Sequence, residues 1–269
     1  TSSIYTTDVS GTDSTASGNS AYGYQAMDAI TTGDSNSALG FGALGANTTG
    51  AQNVAVGSSA LDANTEGSYN AALGQSALEA NTTGAENTAV GTGALDENTT
   101  ASYNTALGKD AAGATTTGHS NTAIGRYSLL TNTTGSYNTG LGRDALRYTT
   151  TASSNTGIGF AALSANTTAS NNTAVGYNSL TANTTGATNV AVGNSALDAN
   201  TTASHNTALG SSALTSNTTG AYNVAVGRQS LTASTTADNN TAVGYQSLYS
   251  NTTGANRTAI GVESSKGSD

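Results

Sequence analysis

The chain has 269 residues, 33 of them Gly, with no Pro, Cys or Trp and only 9% charged residues. Without cysteine there is no disulfide framework and no thiolate metal site, and a net charge of −9 disfavours nucleic acid or an anionic membrane as the main partner. No apolar run reaches the ~18 residues that would insert a helix in a bilayer, and a chain that starts at Thr1 without a leader pattern reads as a mature form or a piece of something longer.

Residues 1–18 read as a degenerate first turn or cap, with Ile4 and Tyr5 where the later turns carry Ala and an aliphatic residue. From residue 19 to 263 one 17-residue unit recurs without insertion or deletion. With Asn172 as position 1, the unit runs to Thr188, and Gly at position 5 recurs at Gly23, Gly40, Gly57 and onward to Gly261. A period this strict marks one supersecondary unit stacked on itself. Position 4 is aliphatic from Leu39 to Ile260, with Tyr22 in the first turn, and position 9 is mostly Leu. Low-complexity disorder has no reason to hold two apolar columns in phase.

Seventeen residues are too few for a helix pair, and the 3.6-residue apolar spacing of an amphipathic helix is missing. Positions 1–4 are β-branched and end at Gly, so they predict a short strand and a corner. Positions 6–9 predict a second strand, and Asn-Thr-Thr-Gly at positions 12–15 predicts the closing corner. The expected fold is all-β: a parallel β-solenoid of about 15 turns, ~4.8 Å apart and ~70 Å long, with the position 4 aliphatics and the position 9 Leu inside. Asn at positions 1 and 12 is expected to form amide ladders up the stack. Residues 264–269 lose the apolar columns and read as a tail.

Two buried aliphatics per turn, at roughly 1.5–3 kcal/mol each, are set against ~1–2 kcal/mol of backbone entropy per ordered residue. The deficit predicts burial between chains, with the small residues of positions 3 and 8 allowing close approach, hence a homo-oligomer. Asp62, Glu79 and Asp96 stack at position 10; outward carboxylates in a line spread their oxygens rather than converging them on a cation, so the solvated face is preferred and no metal is expected. Residues 108–160 break the pattern most: Ala112 stands at position 9, Thr115 and Thr149 at position 12, Gly140 and Gly157 at position 3. There Lys109, Arg126 and Arg143 form a basic column at position 6, while Tyr69, Tyr103 and Tyr137 occupy position 17 of alternate turns. The ligand-binding candidates are accordingly Lys109, Arg126, Arg143, Tyr103 and Tyr137, suited to an acidic glycan, although Asp110 and Asp144 sit beside two of the bases. Asn-x-Thr acceptors recur at Asn47, Asn81, Asn98, Asn132, Asn166, Asn183, Asn200, Asn217 and Asn251, candidate N-glycosylation sites. The two histidines, His119 and His205, lie five turns apart, no Ser sits in a nucleophile elbow, and no Gly-rich turn opens a helix as a phosphate loop does. Neither an enzyme nor a cofactor is expected.

The units beginning Asn53-Val54-Ala55-Val56-Gly57, Asn172-Thr173-Ala174-Val175-Gly176 and Asn206-Thr207-Ala208-Leu209-Gly210, each followed by a small residue and Leu, resemble the head repeats of YadA-type trimeric autotransporter adhesins. They are similar also to repeats of bacteriophage tail fibres. The resemblance spans residues 19–263 and implies a left-handed β-roll, a homotrimer, and attachment to host matrix or surface glycan. The function expected is a structural, adhesive fibre located outside the cell, on a cell surface or on a virion. The alternatives are a glycosylated extracellular filament and, from the Thr columns at positions 13 and 14, an ice-binding solenoid. Adjacent Thr residues in a strand point to opposite faces, which weakens the last.

Overall fold

A computed structural model describes residues 15–265; the cap expected over residues 1–18 therefore lies largely, and the tail expected over 264–269 partly, outside the described residues. The chain forms two compact units, Thr1–Ser136 and Tyr137–Asp269. In the first, strands of three residues follow one another from β1 (Ser20–Tyr22) to β7 (Thr122–Ile124); in the second, from β8 (Thr139–Leu141) to β15 (Thr258–Ile260). Within each unit every strand pairs in parallel with the strand one turn away, in unbroken register: Ala72 faces Ala89, and Ala174 faces Ala191. The described residues contain no helix. The chain is an all-β parallel β-solenoid of about 15 turns of 17 residues, as the period predicts.

Each strand is positions 2–4. Side chains alternate along a strand, so one face takes position 3 and the other takes positions 2 and 4. Position 3 is the buried one throughout: Ala55, Ala89, Ala174 and Ala225 are inaccessible, while Leu39, Leu107 and Leu209 at position 4 are 49%, 46% and 47% exposed. The expectation that position 4 points inward is thus corrected. The interior has room for a methyl at position 3 because Leu of position 9 already fills it; Leu61 and Leu180 are fully buried. A Cβ added at Gly157 would stand only 3.1 Å from the Leu146 side chain. Positions 3 and 8 therefore line the core and cannot mediate contact between chains, contrary to the sequence reading.

Positions 6–9 are not a second strand but a run of turns through position 11. Position 7 and position 9 both adopt left-handed backbone, as at Asn178 (φ 51°) and Leu180 (φ 53°), which costs a non-Gly residue roughly 1–2 kcal/mol. The alternation aims successive N–H groups at neighbouring turns. Asn178 N donates back to Phe160 O at 3.0 Å, Leu180 N forward to Ala196 O at 2.9 Å, and Ala182 N forward to Asp198 O at 3.1 Å. Backbone groups that would be orphaned in a buried turn are thereby paired without a strand. Position 5 must be Gly for two reasons: φ is 137° at Gly176, and a Cβ there would lie 2.5 Å from Gly193 O.

The two Asn columns close the core. Asn172 Oδ1 accepts from Asn189 N at 2.9 Å, and Asn172 Nδ2 donates to Gly186 O at 2.9 Å. Asn183 Nδ2 donates to the same carbonyl at 2.9 Å and to Asn166 Oδ1 one turn back at 2.9 Å. One position 15 carbonyl thus uses both lone pairs on the two columns, and the predicted ladders are present in both units.

Candidate functional site

Three surfaces differ from the repeating background. The first is the outward face of the sheet, positions 2 and 4. Exposed Val54, Val56 and Leu73 in the first unit, and Leu141, Val190 and Leu209 in the second, stand in columns with half-exposed Thr173 or Val224 beside them. From Ser20 to Ile260 no position 2 or position 4 residue is charged. Every side chain on this face is held by a three-residue strand whose register is fixed by parallel pairing and by the Gly that follows.

The second is a set of basic and aromatic side chains in each unit. Lys109 Nζ pairs with Asp110 Oδ2 at 3.0 Å. The Arg126 guanidinium lies 4.3 Å from the Tyr127 ring centroid and donates to its hydroxyl at 2.9 Å, and that hydrogen bond, more than the nearby positive charge, lowers the Tyr127 pKa. In the second unit Arg143 Nε and Arg147 Nη1 share the buried Asp144 carboxylate at 3.0 and 3.1 Å. Arg143 also lies 5.5 Å over Phe160, whose ring stacks on Tyr177 at 5.3 Å. Tyr103 and Tyr137 are exposed at position 17, one in each unit. Tyr127 was not among the sequence candidates; its place one residue after Arg126 in a left-handed turn (φ 62°) gives no apolar-periodicity signal. His205 stacks on Tyr222 at 4.9 Å, and His119 Nδ1 lies 3.2 Å from Ser120 Oγ.

The third is the acidic column of the first unit. Burial, followed by repulsion from Glu79, raises the Asp62 pKa; burial raises that of Asp96 as well, with Glu79, Glu97 and Asp110 adding to it. Among the described residues no group of three or more His, Cys, Asp or Glu side chains is placed to hold a metal ion. Gln25, Asp28, Phe41, Gly42, Gly45, Ala46 and Asp62 line an open surface notch of about 320 Å³ beside this column.

The position 12 asparagines are not surface acceptors. Asn47, Asn81, Asn98, Asn132, Asn166, Asn183, Asn200, Asn217 and Asn251 are all fully buried, and the amide nitrogen a glycan would take is donating inside the roll, as from Asn81 to Asn64 Oδ1 at 2.8 Å. With these amides inside the roll, a sugar on them does not fit the folded turn. The Thr of position 13 is half-buried, with Thr184 Oγ1 donating to Thr201 O at 3.0 Å, while Thr185 of position 14 points to solvent. Comparison with protein-family models, with curated proteins and with solved structures found no match. The fold itself defines the class, a β-solenoid repeat protein.

Proposed function

We propose that the protein is a structural, adhesive fibre element located outside the cell, and that it assembles as a homotrimer through the outward face of its sheet. The observation that carries this is the absence of any charge at positions 2 and 4 together with their exposure. A contiguous apolar column recurring in every turn exceeds the scattered apolar residues normal on a monomer surface. The core within one chain is thin, a single Leu and small residues per turn, so burial between chains supplies area the fold lacks. The repeat's resemblance to trimeric adhesin heads and phage fibres supports the same reading. Attachment would use Tyr103, Lys109 and Arg126 of the first unit, and Tyr137 and Arg143 of the second, each against an acidic surface glycan, through charge-assisted hydrogen bonds.

Sedimentation at low micromolar concentration tests assembly. The wild type is expected as a trimer, and Val175→Lys with Val192→Lys as a folded, smaller species; a stable folded wild-type monomer overturns the reading. Replacing Lys109, Arg126 and Arg143 with Ala tests attachment, with weaker cell or glycan binding and a flatter salt response expected. A second reading draws on one observation: Thr156 and Thr173 at position 2 stand beside Ile158 and Val175 on a regular, uncharged sheet, the two-column array that positions 13 and 14 do not form. Thermal hysteresis shown by a monomeric chain would favour ice binding.

A further inference from the structure

The position 12 column of the second unit runs through Asn166, Asn183, Asn200 and Asn217, is interrupted by Ser234, and resumes at Asn251. Up to the interruption each amide works twice. Asn217 Nδ2 donates to Asn200 Oδ1 one turn back at 3.0 Å and to Gly220 O of its own turn at 2.9 Å, and Gly220 O takes its second hydrogen bond from Asn206 Nδ2 at 2.9 Å. Ser234 has no amide with which to continue this. Asn217 Oδ1 and Ser234 Oγ are both without a hydrogen-bond partner in the chain, on side chains that have no accessible surface. Ala237 O, at position 15, accepts from Asn223 Nδ2 at 2.7 Å and has a lone pair left over. Asn251 Nδ2 donates to Gly254 O at 2.9 Å, and its second N–H has no acceptor one turn back.

The backbone does not close over the difference. Thr218 N still donates to Thr235 O at 2.8 Å and Thr235 N to Thr252 O at 3.0 Å, the same ladder that runs past the asparagine turns. The turns therefore keep their spacing around a shorter side chain. Serine ends where asparagine carries its amide carbon, so the volume of the terminal amide atoms is left to something else. A buried water needs room of about its own size and two to four polar partners, and both conditions hold here. No charged side chain is among these groups, and an ion would lose its hydration with no counter-charge in return.

We propose that the roll binds one water molecule at Ser234, which donates to Asn217 Oδ1 and Ala237 O and accepts from the Ser234 hydroxyl, while Ser234 Oγ accepts from Asn251 Nδ2. Serine and water together reproduce the hydrogen bonds of one asparagine. The interruption at Thr115 in the first unit supplies the contrast. Asn98 Oδ1 and Thr115 Oγ1 are likewise buried and unpartnered, but the threonine methyl takes up part of the same volume, and no water is bound there. The Ser234 site lies within one chain and does not depend on the assembly reading.

A high-resolution crystal structure of the full chain, with two variants beside it, tests this. Wild type is expected to show one ordered oxygen at ~2.7–3.2 Å from Asn217 Oδ1, Ala237 O and Ser234 Oγ, and none between Asn98 and Thr115. Ser234→Asn should displace that oxygen and give Asn217 Oδ1 a direct amide donor. Ser234→Thr should lose the water as well, but leave Asn217 Oδ1 unpartnered. A direct hydrogen bond between Asn217 and Ser234 with no ordered oxygen beside it overturns the proposal. So does an atom held at the ~2.3–2.6 Å of a metal–oxygen contact, or a water retained in both variants.

Discussion

Leu180 and Val175 are both aliphatic and five residues apart, yet their substitutions should behave in opposite ways. Leu180 is inaccessible, so Leu180→Ala should lower unfolding stability by ~2–5 kcal/mol, and Leu180→Asp should prevent stacking through an unpaired buried charge. Val175→Ala should leave monomer melting nearly unchanged and weaken association instead; chemical denaturation beside sedimentation separates the two. The sequence made both columns visible but not which one turns inward. A three-residue strand offers too short an alternation to decide by majority. The legible signal was elsewhere, in position 3, which is Ala in nearly every turn and otherwise Gly140 or Gly157, as a space-limited interior demands. The acidic side chains make a further case. A carboxyl whose pKa is raised on folding binds more protons in the native state, so its contribution is greatest when protonated and is lost as pH rises through the raised value. The Asp62→Asn, Asp96→Asn double variant should therefore melt above wild type at pH 7, with the difference closing as the pH falls below ~4.

At the scale of one turn, the asparagine ladder was predictable from identical amides one strand spacing apart, and its interruptions have a visible cost. Asn98 Oδ1 and Asn217 Oδ1 are buried without a hydrogen-bond partner, because the next turn presents Thr115 or Ser234 where an amide nitrogen should be. Thr115→Asn and Ser234→Asn should each stabilise the chain by ~1–2 kcal/mol, read as a rise of roughly 2–8 °C in melting temperature. No rise at Thr115 would mean that ordered water serves Asn98 as well. The same column misled the functional reading, since Asn-Thr-Thr satisfies a surface acceptor pattern while its geometry is that of a core residue. The second strand expected at positions 6–9 was illegible for a different reason. Left-handed backbone at Leu runs against local preference, and the inter-turn hydrogen bonds of Leu180 and its equivalents, with burial of the side chain, hold it there. At position 7 the signal was partial: Asn178, Asp110 and Gly42 tolerate that conformation, but Tyr127 and Gln229 dilute it.

For the whole molecule, the strict period made the solenoid legible, while the candidate site was legible only as columns: pairing of Lys109 with Asp110 and Arg143 with Asp144 was visible from adjacency, but the stack of Arg126 on Tyr127 and the notch under Asp62 depend on how position 7 turns. Because each turn bonds only to its neighbours, removal of one complete unit from the second body, Asn189–His205, should preserve cooperative unfolding and β-sheet content by circular dichroism, whereas removal of one residue fewer should put a single junction out of register, splitting the unfolding transition while the turns on either side keep their own pairing. The glycine corner at position 5 and the left-handed pair that follows it are the same in turn after turn, so nothing in the local geometry records how many turns have gone before. Length in this protein is therefore a copy number. It can change by gain or loss of whole 17-residue units without any new contact having to be invented, and selection can adjust reach one whole turn at a time.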